Sequence, residues 1–165
     1  MPIQIRKARS INDFAAAHAL IRTLAIYEKA EHEHNLSLQQ FTADGLAGSP
    51  LYFLFLAEKT EDDGSEQPEI VGITLCYFCY STWKGKMLYL DDLVIAENYR
   101  HQGIGRLLVN NLIRFAKAEN AQQLRWHVLN WNTTAIEFYQ KLGMKLENDW
   151  VTCKLEKEQL DAYDI

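Results

Sequence analysis

The chain has 165 residues and 48% hydrophobic content, enough for one domain with its own core, and only three cysteines, too few for a disulfide framework. With 17 basic against 22 acidic side chains the net charge is -5, which argues against nucleic acid as a partner. No apolar run approaches the roughly 20 residues that span a bilayer, so no membrane partner is expected. The opening Met1-Pro2-Ile3-Gln4-Ile5-Arg6 lacks the pattern of a secretory leader, which makes the cytoplasm the expected location.

Alternation over residues 3–8 predicts a short strand. Ser10 with Asp13 resembles an N-terminal cap, and Phe14, Ala17, Leu20, Ile21 and Leu24 keep helical spacing to about Tyr27. A polar stretch follows with Glu28, Glu31 and Glu33, a possible acidic rim for a polycation or plain solvated surface. A second helix is predicted from about Ser37 to Leu46, ended by Gly45, Gly48 and Pro50. Strands are predicted over 52–58, 70–80 and 87–95, with a polar hairpin loop at 60–69 and a turn containing Trp83 and Gly85. A helix then runs from about Gly103 to Glu119, and a strand over 124–129. Asn132 caps a short helix through Ala135, Ile136, Phe138, Tyr139 and Leu142, with Gly143 as its stop. A closing strand is predicted over 150–155.

This order, a meander followed by a strand–helix–strand unit, predicts an α/β domain with a mixed sheet covered by helices. It does not fit a doubly wound dinucleotide fold. Cys76 and Cys79 lie an odd number of residues apart in a strand, on opposite faces, and so neither chelate one metal nor close a ring. His32 and His34 have no further clear ligand nearby, and His127 in a strand reads as structural. No metal is expected.

Chemistry concentrates in Leu88-Tyr89-Leu90-Asp91-Asp92-Leu93-Val94-Ile95 and the following Arg100-His101-Gln102-Gly103-Ile104-Gly105. A strand feeding a helix through a glycine turn is either a tight connection or an anion cradle built from backbone N–H groups. It lacks the Lys-Ser/Thr of a triphosphate loop, and position 108 is Leu rather than the third glycine of a dinucleotide motif. Asp91 and Asp92 are adjacent, so strand alternation turns them to opposite faces, one toward a substrate pocket and the other elsewhere. Either acid could be an ordinary ion-pair partner; alternatively it binds an ammonium and, with ordered water, removes its proton. Asp91 is favoured for that role, with Asp92 next. Tyr139 either packs its helix or serves as a proton donor.

The Arg100–Gly105 segment resembles the Arg/Gln-x-x-Gly-x-Gly/Ala signature of the GCN5-related N-acetyltransferase superfamily, and the segment from Asn132 to Met144 is similar to that family too. The resemblance implies a single acyl-CoA N-acyltransferase domain with a mixed, mostly antiparallel sheet, and acetyl-CoA as co-substrate without a metal. It places Leu93, Val94, Ile95, Arg100, His101, Gln102, Gly103, Ile104, Gly105, Arg106, Asn132, Ala135 and Tyr139 at the coenzyme, with Tyr139 as the acid for the leaving thiolate. Leu24–Glu28, Tyr77–Lys86 and Met87–Asp92 resemble the diamine acetyltransferase subgroup. That likeness implies a small cationic amine, a polyamine above all, met by Tyr27, Glu28, Trp83, Asp91 and Asp92, in a homodimer. Asp91 stands where the polyamine enzymes carry Glu, which moves the carboxylate by more than about 1 Å. The alternatives are another amine, such as thialysine, a lysine-like compound or a peptide amine, and a non-catalytic acyl-CoA-binding module.

Overall fold

The computed structural model describes residues 2–60 and 68–163. Most of the expected 60–69 loop lies outside the described residues. The chain divides into two compact units, Met1–His127 and Val128–Ile165, which are taken in turn.

The first unit is built on a five-stranded sheet in chain order: β1 (Ile3–Lys7), β2 (Phe53–Lys59), β3 (Glu69–Ser81), β4 (Gly85–Ile95) and β5 (Gln123–Arg125). Neighbours are antiparallel except β4 and β5, which are parallel. Helix α1 (Ile11–Tyr27) starts where the sequence places it, because the Ser10 hydroxyl accepts from the Asp13 N–H while Asp13 accepts from the Ser10 N–H. Helix α2 (Leu38–Leu46) starts at Ser37, whose hydroxyl accepts from the Gln40 N–H. Both pack on one face of the sheet, where Phe14, Ala17 and Phe41 join Leu54, Leu56, Ile73, Leu75 and Val94. The Tyr52 hydroxyl closes that core by donating to the Phe41 carbonyl at 2.5 Å. Helix α3 (Ile104–Ala118) covers the opposite face, with Ile104, Leu108, Leu112 and Ala116 against Phe55, Ala57, Val71, Cys76, Leu88 and Leu90.

Two irregularities shape the sheet. In β3 the register skips Val71, so Val71 and Gly72 both face α3, where a Cβ on Gly72 would meet the Leu108 side chain. In β4 it skips Asp91: Leu90 lies opposite Cys76 and Asp92 opposite Leu75. Across this bulge the α3-facing side chains change parity, from Leu88 and Leu90 to Leu93 and Ile95.

The second unit contains α4 (Thr133–Lys141) and α5 (Lys157–Asp161). Asn132 caps α4 by accepting from the Ala135 N–H at 3.2 Å, and Gly143 ends it with φ of 81°, both as expected.

Two sequence expectations are corrected. The strand predicted over 124–129 stops at Arg125, where the parallel ladder ends at the Tyr89–Arg125 pair, just short of the β4 bulge. The closing strand predicted over 150–155 does not form; Trp150, Val151 and Leu155 are exposed, and a strand without a paired neighbour has nothing to stabilise it.

Candidate active site

Alternation would have separated the two acids of β4. The bulge overturns that expectation, because the extra residue lets neighbours share a side. Asp92 alternates with Val94, which faces α1, and Asp91 acts electrostatically on Tyr77 and Tyr89, which lie on that same face. Asp91 and Asp92 therefore both open toward α1.

The end of α1 brings a third acid to them. Glu28 caps that helix with its backbone N–H on the Leu24 carbonyl, and its carboxylate lies within electrostatic reach of Asp92. Burial, then the charges of Asp91 and Glu28, push the Asp92 pKa up to about 7. Burial also raises those of Asp91 and Glu28. Among the described residues none of the three makes a side-chain hydrogen bond or ion pair. The cluster has the field of a cation site with no cation supplied by the protein.

Beyond β4 the chain makes a short turn of helix at Glu97–Tyr99 and enters the glycine loop. His101 and Gly103 take left-handed conformations, with φ of 61° and 84°, and α3 begins directly after Gly103. Gly103 provides no capping side chain, and the space beside its Cα is open. The first N–H groups of α3, at Ile104, Gly105 and Arg106, thus lack a side-chain cap and face an unobstructed turn. Ile104 is buried and anchors the helix start, while Arg106, His101 and Gln102 are exposed. The Gln102 amide donates to the Asn98 carbonyl at 3.0 Å and steadies the loop. This is the arrangement the sequence predicts for an anion cradle.

Arg100 joins the two features. Its Nε donates to the Ile95 carbonyl at 3.3 Å, and its guanidinium lies 5.6 Å from the centre of the Tyr27 ring, next to Glu28. Between the cradle and the acids, the edge of β4 beyond Tyr89 has no strand partner among the described residues, since β5 has already ended. Leu93, Val94 and Ile95 lie on this stretch. A free edge of this kind accepts an extended chain bearing amides.

Not every sequence-predicted residue gathers here. Trp83 sits 83% exposed in the turn before β4; Asp91 is six residue steps along the strand from Gly85, about 20 Å. Glu31 is neutralised by Arg22 at 2.9 Å. Tyr139 and Asn132 belong to the second unit, where Tyr139 is buried in α4 with its ring 5.4 Å from that of Phe138. Four residues absent from the sequence reading or set aside in it flank the acids: Tyr77, Tyr89, Arg125 and His127. Their signal was the period-2 spacing of 77 with 79, 87 with 89, and 125 with 127.

Residues 16–144 match the profile described as the Acetyltransferase (GNAT) family, and the chain belongs to that family. It is an N-acetyltransferase, of a family that uses acetyl-CoA as co-substrate. It is similar to the thialysine N-epsilon-acetyltransferase of Bos taurus, with 39% identity over 86% of this chain and 83% of that protein. The spermidine/spermine N(1)-acetyltransferase-like protein 1 of Homo sapiens is 28% identical over 95% of this chain, which spans only 23% of that protein. An integron cassette protein from the mobile metagenome of V. cholerae shares the fold, with a TM-score of 0.74 and 20% identity over 98% of this chain and 96% of that one.

Proposed function

We propose that the protein transfers the acetyl group of acetyl-CoA to the terminal amine of a small, lysine-like compound, thialysine being the leading acceptor. The observation that carries the reading is the unneutralised cluster of Glu28, Asp91 and Asp92 beside an uncapped helix start. The similarity to thialysine acetyltransferases favours a lysine-like acceptor over a polyamine.

The residues fit the coenzyme in three places. Backbone N–H groups of Gly103, Ile104 and Gly105, with Arg100, His101, Gln102 and Arg106 around them, hold the pyrophosphate. The free edge at Leu93, Val94 and Ile95 pairs with the pantetheine amides, and the family likeness assigns Asn132 and Ala135 to the coenzyme as the third place. The carrier supplies a thioester carbonyl open to attack.

The acids do the rest. An alkyl ammonium is not nucleophilic, so it enters as a cation, attracted by three carboxylates, with Tyr27 alongside. Asp92, with its pKa raised to about 7, accepts the proton directly or through water. The nitrogen lone pair then attacks the carbonyl carbon, the carbon–sulfur bond breaks, Tyr139 donates its phenolic proton to the departing thiolate, and the second proton of the amine nitrogen passes through water to the phenolate as the amide forms. Asp91 positions the amine. No cysteine carries the acetyl group in this scheme. We further propose that two copies associate, bringing exposed Tyr80 and Trp83 of the hairpin to the partner, and that the enzyme works in the cytoplasm without a metal.

An amine panel tests this directly. With acetyl-CoA at saturation, kcat/KM for thialysine and lysine should exceed that for spermidine and putrescine by about tenfold or more, the discrimination one charged contact supplies. The reverse order returns the chain to the polyamine reading, and coenzyme binding with no turnover of any amine leaves only a binding module.

A further inference from the structure

The sheet face that carries the acids changes sign along its length. Tyr89 lies two and three residues before Asp91 and Asp92, its ring 5.2 Å from that of Tyr77. Directly across the parallel ladder from Tyr89 is Arg125. Leu124 packs toward α3, so alternation turns Arg125 to the acid-bearing face, and the contact with Tyr89 brings His127 to it as well. Tyr89 Oη lies 2.5 Å from His127 Nδ1. With the phenol O–H donating to Nδ1, the ring proton of His127 resides on Nε2 and can donate to a ligand. Arg125 is half-buried and has no ion pair or side-chain hydrogen bond among the described residues. A guanidinium with no carboxylate partner among the described residues can pair with an anionic ligand.

We infer that Arg125 and His127, the latter held by Tyr89, recognise the carboxylate of an amino-acid acceptor whose far amine enters the Glu28–Asp91–Asp92 cluster. The assignment rests on the acceptor reading above and makes it specific: an ω-amino acid is selected over a diamine of equal length. The dimensions agree. Asp91 and Asp92 lie about 7–10 Å along the strand from Tyr89. Six bonds separate the carboxyl carbon of thialysine from its terminal nitrogen, about 7 Å when extended. A diamine brings to Arg125 an ammonium with no carboxylate beside it, so the residue favours the amino acid and disfavours the diamine.

The test compares thialysine with bis(2-aminoethyl) sulfide, the same skeleton without its carboxylate, using the full-length protein and acetyl-CoA. In Arg125→Gln the ratio of kcat/KM for thialysine over the sulfide diamine should fall about tenfold or more, through the KM for thialysine. Arg125→Lys should recover part of it, and His127→Ala should lower the ratio by a smaller factor in the same direction. Equal losses on both substrates in R125Q and H127A would overturn the inference while leaving the acceptor reading intact. A wild-type enzyme that acetylates the sulfide diamine but not thialysine would overturn the acceptor reading itself.

Discussion

Two carboxylate clusters flank α1, and they have opposite characters. At the start of the helix, Arg6 donates to Asp13 at 2.8 and 2.9 Å and to Glu58 at 2.7 and 2.9 Å, which ties β1, β2 and α1 together. The Arg9 and Ser10 N–H groups also donate to Asp13. Hydrogen bonds from Arg6 hold the Asp13 carboxyl well below the usual range. At the end of the helix, Glu28, Asp91 and Asp92 have no cation, and burial raises all three. The first cluster is complete within the protein and serves the fold. The second has no counter-charge among the described residues, which is what the proposed acceptor site requires.

If the comparison holds, Asp92→Asn should give the largest effect. It removes the proton acceptor and should lower kcat/KM by about 10³-fold, read in steady-state kinetics, with coenzyme affinity retained. A loss confined to KM would make Asp92 a binding group only. Next in size, Asp13→Asn should destabilise the protein by about 3 kcal/mol in denaturant unfolding, because it leaves Arg6 partly buried with a weakened partner.

The smallest effect separates the clusters by sign. The folded pKa of Asp92 lies above its unfolded value, so its contribution is full below about pH 4 and is lost as pH rises through about 7. That of Asp13 lies below, so its contribution is present above the unfolded value and lost as pH falls through the folded one. Between pH 4 and 7 the wild type should therefore lose stability relative to Asp92→Asn, by on the order of 2 kcal/mol, while its advantage over Asp13→Asn stays nearly constant. Parallel curves for the two variants would show that the clusters are not opposites.

Much of this frame is legible in local sequence. The Ser10–Asp13 box, the Asn132 cap, the Gly143 stop and the strand–turn–helix around Gly103 depend on residues within one turn of each other. What escaped the reading is long-range or subtle. The bulge at Asp91 is betrayed only by a change of parity, from Leu88 and Leu90 to Leu93 and Ile95, with the two acids between. Simple alternation separates two side chains that in the structure share a face, Asp92 having the stronger perturbation. The Tyr89–Arg125 pairing depends on a register set by the length of α3, which no local pattern encodes. Residues 150–155 have strand-like composition, and composition alone does not provide a neighbour to pair with.

The central claim is that Asp92 stands in an unneutralised cluster awaiting a cation. Carbon-13 NMR titration of its carboxyl, assigned with Asp92→Asn, measures this without turnover. The expected result is a midpoint near 7 in the free protein that moves down on addition of thialysine. A midpoint near 4, unchanged by the amine, would contradict the account.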